Sequence, residues 1–150
     1  MGQYGAELQK ATTSTTIGVG SIEAPGASMR RAWLYDFVFG SAAAAADNTF
    51  EFEVNRTTTA ATGTAVTPNP LDLADAACVT LAKSNNTVQG TNTGGSVPLS
   101  ASLNQRATFR WLAPPDGKLI IPATANAGFS INTPTSTGLT DAHVNVQFTE

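Results

Sequence analysis

Phe50-Glu51-Phe52-Glu53-Val54 sets three apolar side chains on one side of an extended chain and two carboxylates on the other. Val144-Asn145-Val146-Gln147-Phe148 repeats the pattern with amides outward. Successive side chains of a pleated strand point to opposite faces, so each segment describes a strand with one buried and one wet side. The heaviest such segment is 32–39, where Trp33, Tyr35, Phe37 and Phe39 share one side and Leu34, Asp36 and Val38 the other. Two stretches hint at helix. The alanine run 42–46 is too short to nucleate one in water, and in 71–77 Asp72 is placed to cap no more than a short turn.

Turn residues cut the rest into short strands. Pro25-Gly26, Asp47-Asn48, Pro114-Pro115-Asp116-Gly117 and the stretch 134–138 are turns. Pro68-Asn69-Pro70 removes two ladder donors, which makes 57–70 an edge or a crossing connection. Segment 78–82 reads as a strand and 83–95 as the longest exposed loop. Residues 97–103 and 107–112 form the next strands, with Leu99, Ala101 and Leu103 on one face. About eight short strands at this spacing predict an all-β fold, an antiparallel β-sandwich of jelly-roll type. The expected core is Trp33, Tyr35, Phe37, Phe39, Phe50, Phe52, Val54, Leu119, Ile121, Phe129, Ile131, Val144, Val146 and Phe148. At 150 residues the chain has the size of one domain.

Residues 1–28 differ in character from the remainder of the chain. They carry the run Thr12-Thr13-Ser14-Thr15-Thr16 and few large apolar side chains: Tyr4, Leu8, Ile17, Val19 and Ile22. Such a segment is either flexible or an extended N-terminal arm docked on another surface. The expected division is therefore an arm over 1–28 and a single sandwich domain over 29–150. Ile17, Val19 and Ile22, in a β-prone context, are the candidate interface residues of the arm. Arg30-Arg31 beside it reads as a solvated or interface-pairing pair.

The residues that do chemistry are scarce. Charged residues make up 13% of the chain, with one His and one Cys. A catalytic centre needs several convergent titratable groups, so no catalytic residue, cofactor or metal site is assigned and no enzyme is expected. His143 falls opposite Val144 and Val146 and has no evident nucleophile to serve. Glu51 with Glu53 are neighbours on a wet face rather than a pair across a cleft. Asp72 and Asp75 are hard oxygen ligands without a calcium-loop pattern. Cys78 reads as a small buried hydrophobe, and Trp33 and Trp111 as buried rings, although exposed they would make a sugar-stacking platform. Gly18-Val19-Gly20 does not extend into a dinucleotide fingerprint. The net charge of −3 and the scattered Lys10, Arg30, Arg31, Arg56, Lys83, Arg106, Arg110 and Lys118 argue against nucleic acid. No apolar stretch approaches a membrane span, and Met1-Gly2-Gln3-Tyr4-Gly5-Ala6-Glu7 lacks the basic start and apolar run of a secretory signal.

In style the chain resembles the small capsid decoration, or cement, proteins of tailed bacteriophages. The likeness lies in the Thr/Gly/Ala-rich segment 1–28, in Thr64-Ala65-Val66-Thr67-Pro68-Asn69-Pro70-Leu71-Asp72, and in the closing strand 142–148. It matches no residue-level motif, so no functional residue carries over. The resemblance implies a jelly-roll or related sandwich on the outside of a virion head, made in the host cytoplasm. It also implies assembly as a homotrimer and a major capsid protein as partner, whose subunits it would clamp together. The alternative is a glycan- or receptor-binding sandwich module of a head or tail fibre.

Overall fold

The computed structural model of the chain describes residues 1–11, 18–27, 29–43, 45–134 and 141–150. Among them lie twelve strands and no helix. The strands are β1 (Gln3–Lys10), β2 (Gly20–Glu23), β3 (Ala32–Ser41), β4 (Thr49–Thr57), β5 (Thr62–Val66) and β6 (Asn69–Pro70). They continue with β7 (Leu81–Val88), β8 (Leu99–Asn104), β9 (Phe109–Leu112), β10 (Leu119–Ile121), β11 (Gly128–Asn132) and β12 (Ala142–Thr149). They form two antiparallel sheets. One runs β10-β3-β12-β1-β6, with β9 also on β3, and the other runs β5-β7-β2-β11-β4-β8.

The sheets meet face to face in a β-sandwich-like arrangement. Phe39 of β3 lies 5.0 Å, ring centre to ring centre, from Phe52 of β4, and Phe52 lies 4.5 Å from Phe50. Chain neighbours cross between the sheets at β1–β2, β3–β4 and β11–β12, so the order β3-β12-β1 in one sheet is matched by β4-β11-β2 in the other. The alternation read in β4 and β12 holds: Phe50, Phe52, Val54, Val144, Val146 and Phe148 are all buried.

In β3 the alternation breaks. The register against β12 shifts between Gln147, opposite Asp36, and Phe148, opposite Leu34, leaving Tyr35 as an extra residue. A bulge of this kind changes which side a strand presents to the core. Phe37 and Phe39 face inward as expected, but beyond the bulge Ala32 and Leu34 take the core positions. Trp33 and Tyr35, expected in the core, are only half-buried.

The first 28 residues also depart from expectation. β1 pairs with β12 over its whole length, from Gln3 opposite Thr149 to Lys10 opposite Ala142, and buries Tyr4, Ala6 and Leu8. β2 lies between β7 and β11. Residues 3–10 and 20–23 are thus interior strands of the sandwich rather than a detachable arm. Small side chains suffice there because the flanking strands cover the backbone. At Gly20 only glycine fits, since a Cβ would stand 2.9 Å from the Cβ of Leu8.

Two further readings shift. β7 begins at Leu81 rather than Cys78 and runs through Asn85-Asn86, which read as a loop. Asn85 has φ +49°, a left-handed conformation that asparagine tolerates, and the strand carries it as an irregularity instead of turning. In segment 71–77 Asp72 closes a short turn by accepting the Ala74 N–H at 2.9 Å.

Candidate interaction surface

Several of the acidic side chains that could do chemistry are spent on fastening the fold. Glu23, 1% exposed on β2, accepts from Ser21 Oγ at 3.3 Å and from the Ala61 N–H at 3.1 Å, and pairs with Lys83 Nζ from β7. Lys83 Nζ also donates to the Ala61 carbonyl at 2.6 Å, which ties the approach to β5 onto its neighbour. Asp36 is buried under Arg110 of β9, whose Nε lies 3.0 Å from Oδ1 and whose Nη2 lies 2.5 Å from Oδ2. This forked pairing holds a four-residue edge strand in register. Its hydrogen bonds to Asp36 raise the Arg110 pKa further above the usual range.

Glu150 does the same for segment 78–80. Its side chain is wholly covered, and its carboxylate accepts the Val79 N–H at 2.9 Å and the Thr80 N–H at 2.7 Å. Burial pushes its pKa up, but these bonds and one from the Cys78 thiol outweigh it and hold the carboxyl below its ordinary value. Burial and the nearby Glu150 push the Cys78 thiol up to about 12, so it stays protonated and is a poor nucleophile at neutral pH.

Glu150 thereby makes stability depend on pH. A carboxyl held below its unfolded pKa, about 4.3, adds stability at higher pH that is lost as the pH falls through the folded value. The melting temperature of the protein is expected to fall below pH 4 more steeply than that of Glu150→Gln. Parallel melting curves from pH 7 to pH 3 would show that the carboxylate is not a fastener.

His143 is engaged on both sides: Nδ1 lies 2.9 Å from Glu7 Oε1 on β1, and Nε2 lies 3.5 Å from Asp141 Oδ1. It lines a shallow hollow of about 350 Å³ with Val38, Gly40, Ser41 and Thr108. The Ser41 hydroxyl donates to the Ala43 carbonyl at 3.4 Å. Asp75 accepts the Gln3 N–H at 3.2 Å, so with Asp72 it locks the 71–75 turn onto β1. Glu51 and Glu53 are half-buried on β4, where Asn55 Nδ2 donates to Glu53 at 3.3 Å. No three His, Cys, Asp or Glu side chains among the described residues cluster so as to hold a metal ion.

The interface candidates are not brought together. Ile17 lies outside the described residues. Val19 and Ile22 are wholly buried within the chain, so their side chains are core rather than surface. Arg30 and Arg31 are exposed, with Arg30 3.8 Å from Glu150.

What the surface offers instead is apolar. Leu73 is 95% exposed at the tip of the 71–75 turn, with Leu71 at 52% beside it. On the opposite margin of the same sheet, Phe109, Leu112 and Ile120 are exposed on β9 and β10. There Trp33 lines a hollow of about 250 Å³ with Pro115, Asp116, Lys118 and Ile120. Sequence reading misses these groups because single leucines in turns carry no periodic signal, and because the alternation that puts Trp33 inside is inverted by the bulge.

No family model, curated protein or solved structure matches the chain.

Proposed function

We propose that the chain is a virion structural protein of a tailed phage, a decoration protein that binds the outside of the head and bridges major capsid subunits. The observation that carries this reading is the division of labour among its side chains. Glu23, Asp36, Glu150, Asp72 and Asp75 hold strands or turns together, while Leu71, Leu73, Leu112 and Ile120 stand exposed for contact. A surface of this make-up suits docking onto protein better than turning over a substrate. Many copies, each held weakly, secure a shell by avidity. The matched strand orders of the two sheets support the jelly-roll form of the sandwich. The location on a capsid surface comes from the resemblance.

The test is reconstitution. The gene is expected beside one for a major capsid protein, and the purified chain is expected to co-sediment with empty expanded heads assembled from that protein. Leu73→Asp is expected to reduce the bound fraction at least tenfold without altering the melting temperature. Failure to bind heads from the neighbouring gene would end the proposal.

One observation favours a second reading, a glycan-binding module. Trp33 is half-exposed beside Asp116 and Lys118, an aromatic face flanked by polar groups. Saturable quenching of tryptophan fluorescence by an oligosaccharide, abolished in Trp33→Ala, would move the assignment there.

A further inference from the structure

A β-sandwich has sheet edges, and each exposes unpaired N–H and C=O groups that invite another strand. Among the described residues, three of the four edges are blunted. β6 is two residues long and contains Pro70. β5 has a register irregularity between Thr62 and Thr64. The margin of β3 is shared by the short β9 and β10, which carry Arg110 and adjoin Lys118. The fourth edge, β8, is six residues of Leu, Ser, Ala and Asn with no proline, no charge and no irregularity in its pairing with β4. It is the edge left open.

One bond sets the hydrogen-bond phase of that edge. The Gln105 N–H donates to the Asn48 carbonyl at 3.1 Å. Along an antiparallel ladder every second residue bonds the same neighbour, so Leu103, Ala101 and Leu99, opposite Phe50, Phe52 and Val54, direct their backbone groups at β4. Ser100, Ser102 and Asn104 direct theirs outward. The Asn104 carbonyl is taken by the Ala107 N–H at 2.8 Å, which leaves Ser100 and Ser102 with main-chain donors and acceptors facing out.

The strand is also its own complement. Leu99-Ser100-Ala101-Ser102-Leu103 reads the same in both directions. In an isologous interface residue i meets j and j meets i, and here that sets leucine against leucine and serine against serine with no mismatched pair. We propose that β8 pairs antiparallel with β8 of a second copy, about a two-fold axis at Ala101, joining two sheets into one. Ser100 faces Ser102 of the other copy and exchanges both main-chain bonds with it, and the same happens on the far side of the axis. Four bonds form in all. Pro98, without an N–H, and the turn at Asn104 end the pairing and fix its register. Leu99 meets Leu103 of the other copy on the inner face. There both are half-buried against the core and gain cover. With no charge on β8, like charges are not brought directly opposite one another.

The contact does not depend on the capsid reading and is expected in solution. Sedimentation velocity on the full chain at about 10 μM is expected to give the mass of a dimer. Ser102→Pro removes an outward N–H without touching the ladder to β4, a position where edge strands accept proline. The double variant Ser100→Lys, Ser102→Lys places charge on the same edge and serves if the proline variant fails to fold. Either is expected to sediment as a monomer with unchanged near-ultraviolet circular dichroism.

Register is read by cross-linking in a Cys78→Ser background. Ala101→Cys faces its own copy in a non-hydrogen-bonded pair, with Cα atoms about 4.5 Å apart, within disulfide reach. It is expected to oxidise to a covalent dimer, and Ser100→Cys, whose opposite number is Ser102, at least tenfold less. A wild-type monomer, a trimer, a dimer that survives the edge substitutions, or equal cross-linking at both positions would each overturn the proposal.

Discussion

Phe52→Ala is expected to destabilise the protein by about 3–5 kcal/mol, the range for truncating a buried aromatic side chain. Phe52 is 1% exposed and lies where the two sheets meet, against Phe39 across the gap and Phe50 along its own strand. Removing it takes away transfer energy and leaves a cavity that two separately anchored sheets cannot close. The neighbouring Glu53→Ala removes a half-buried carboxylate whose hydrogen bond is one 3.3 Å contact from Asn55, and a loss of about 1 kcal/mol or less is expected. Urea unfolding of the two variants side by side checks both numbers. Equal, small losses would mean that the Phe39–Phe52 contact does not hold the sheets together.

Lys83→Met is expected to cost a similar amount, about 3–5 kcal/mol, for an electrostatic reason. Glu23 is 1% exposed, and Lys83 is the only cation paired with it among the described residues. Without the ammonium the carboxylate stays buried with Ser21 and the Ala61 N–H as its remaining partners, and the Ala61 carbonyl also loses a donor. Replacing both partners, as Glu23→Gln with Lys83→Met, removes the stranded charge. The double variant is therefore expected to be more stable than Lys83→Met alone. A double variant as unstable as the sum of the two single ones would show that the pair's charges are not coupled.

Sequence alone determined the class of fold. Strict alternation of aromatic and charged residues in 50–54 and of valine and amide in 144–148 admits only half-buried strands, and the structure has strands at both places. It also located Phe37, Phe39, Leu119, Ile121, Phe129 and Ile131 in the core, because alternation along a strand sends every second large apolar side chain to the same face.

Only the tertiary structure decided the rest. A bulge is a relation between two strands, so nothing within 32–39 announces that Tyr35 is the extra residue and that Trp33 turns out while Leu34 turns in. Residues 3–10 look too poor in large side chains to belong to a core. They are made central by pairing with β12 along their whole length, which buries Tyr4, Ala6 and Leu8 whatever their size. The same holds for Val19 and Ile22, which the sequence offers as contacts for another chain and the fold places inside this one. The open edge at 99–103 is a palindrome visible in the sequence, but which side of it faces solvent depends on its register with β4, a long-range fact that local pattern does not contain.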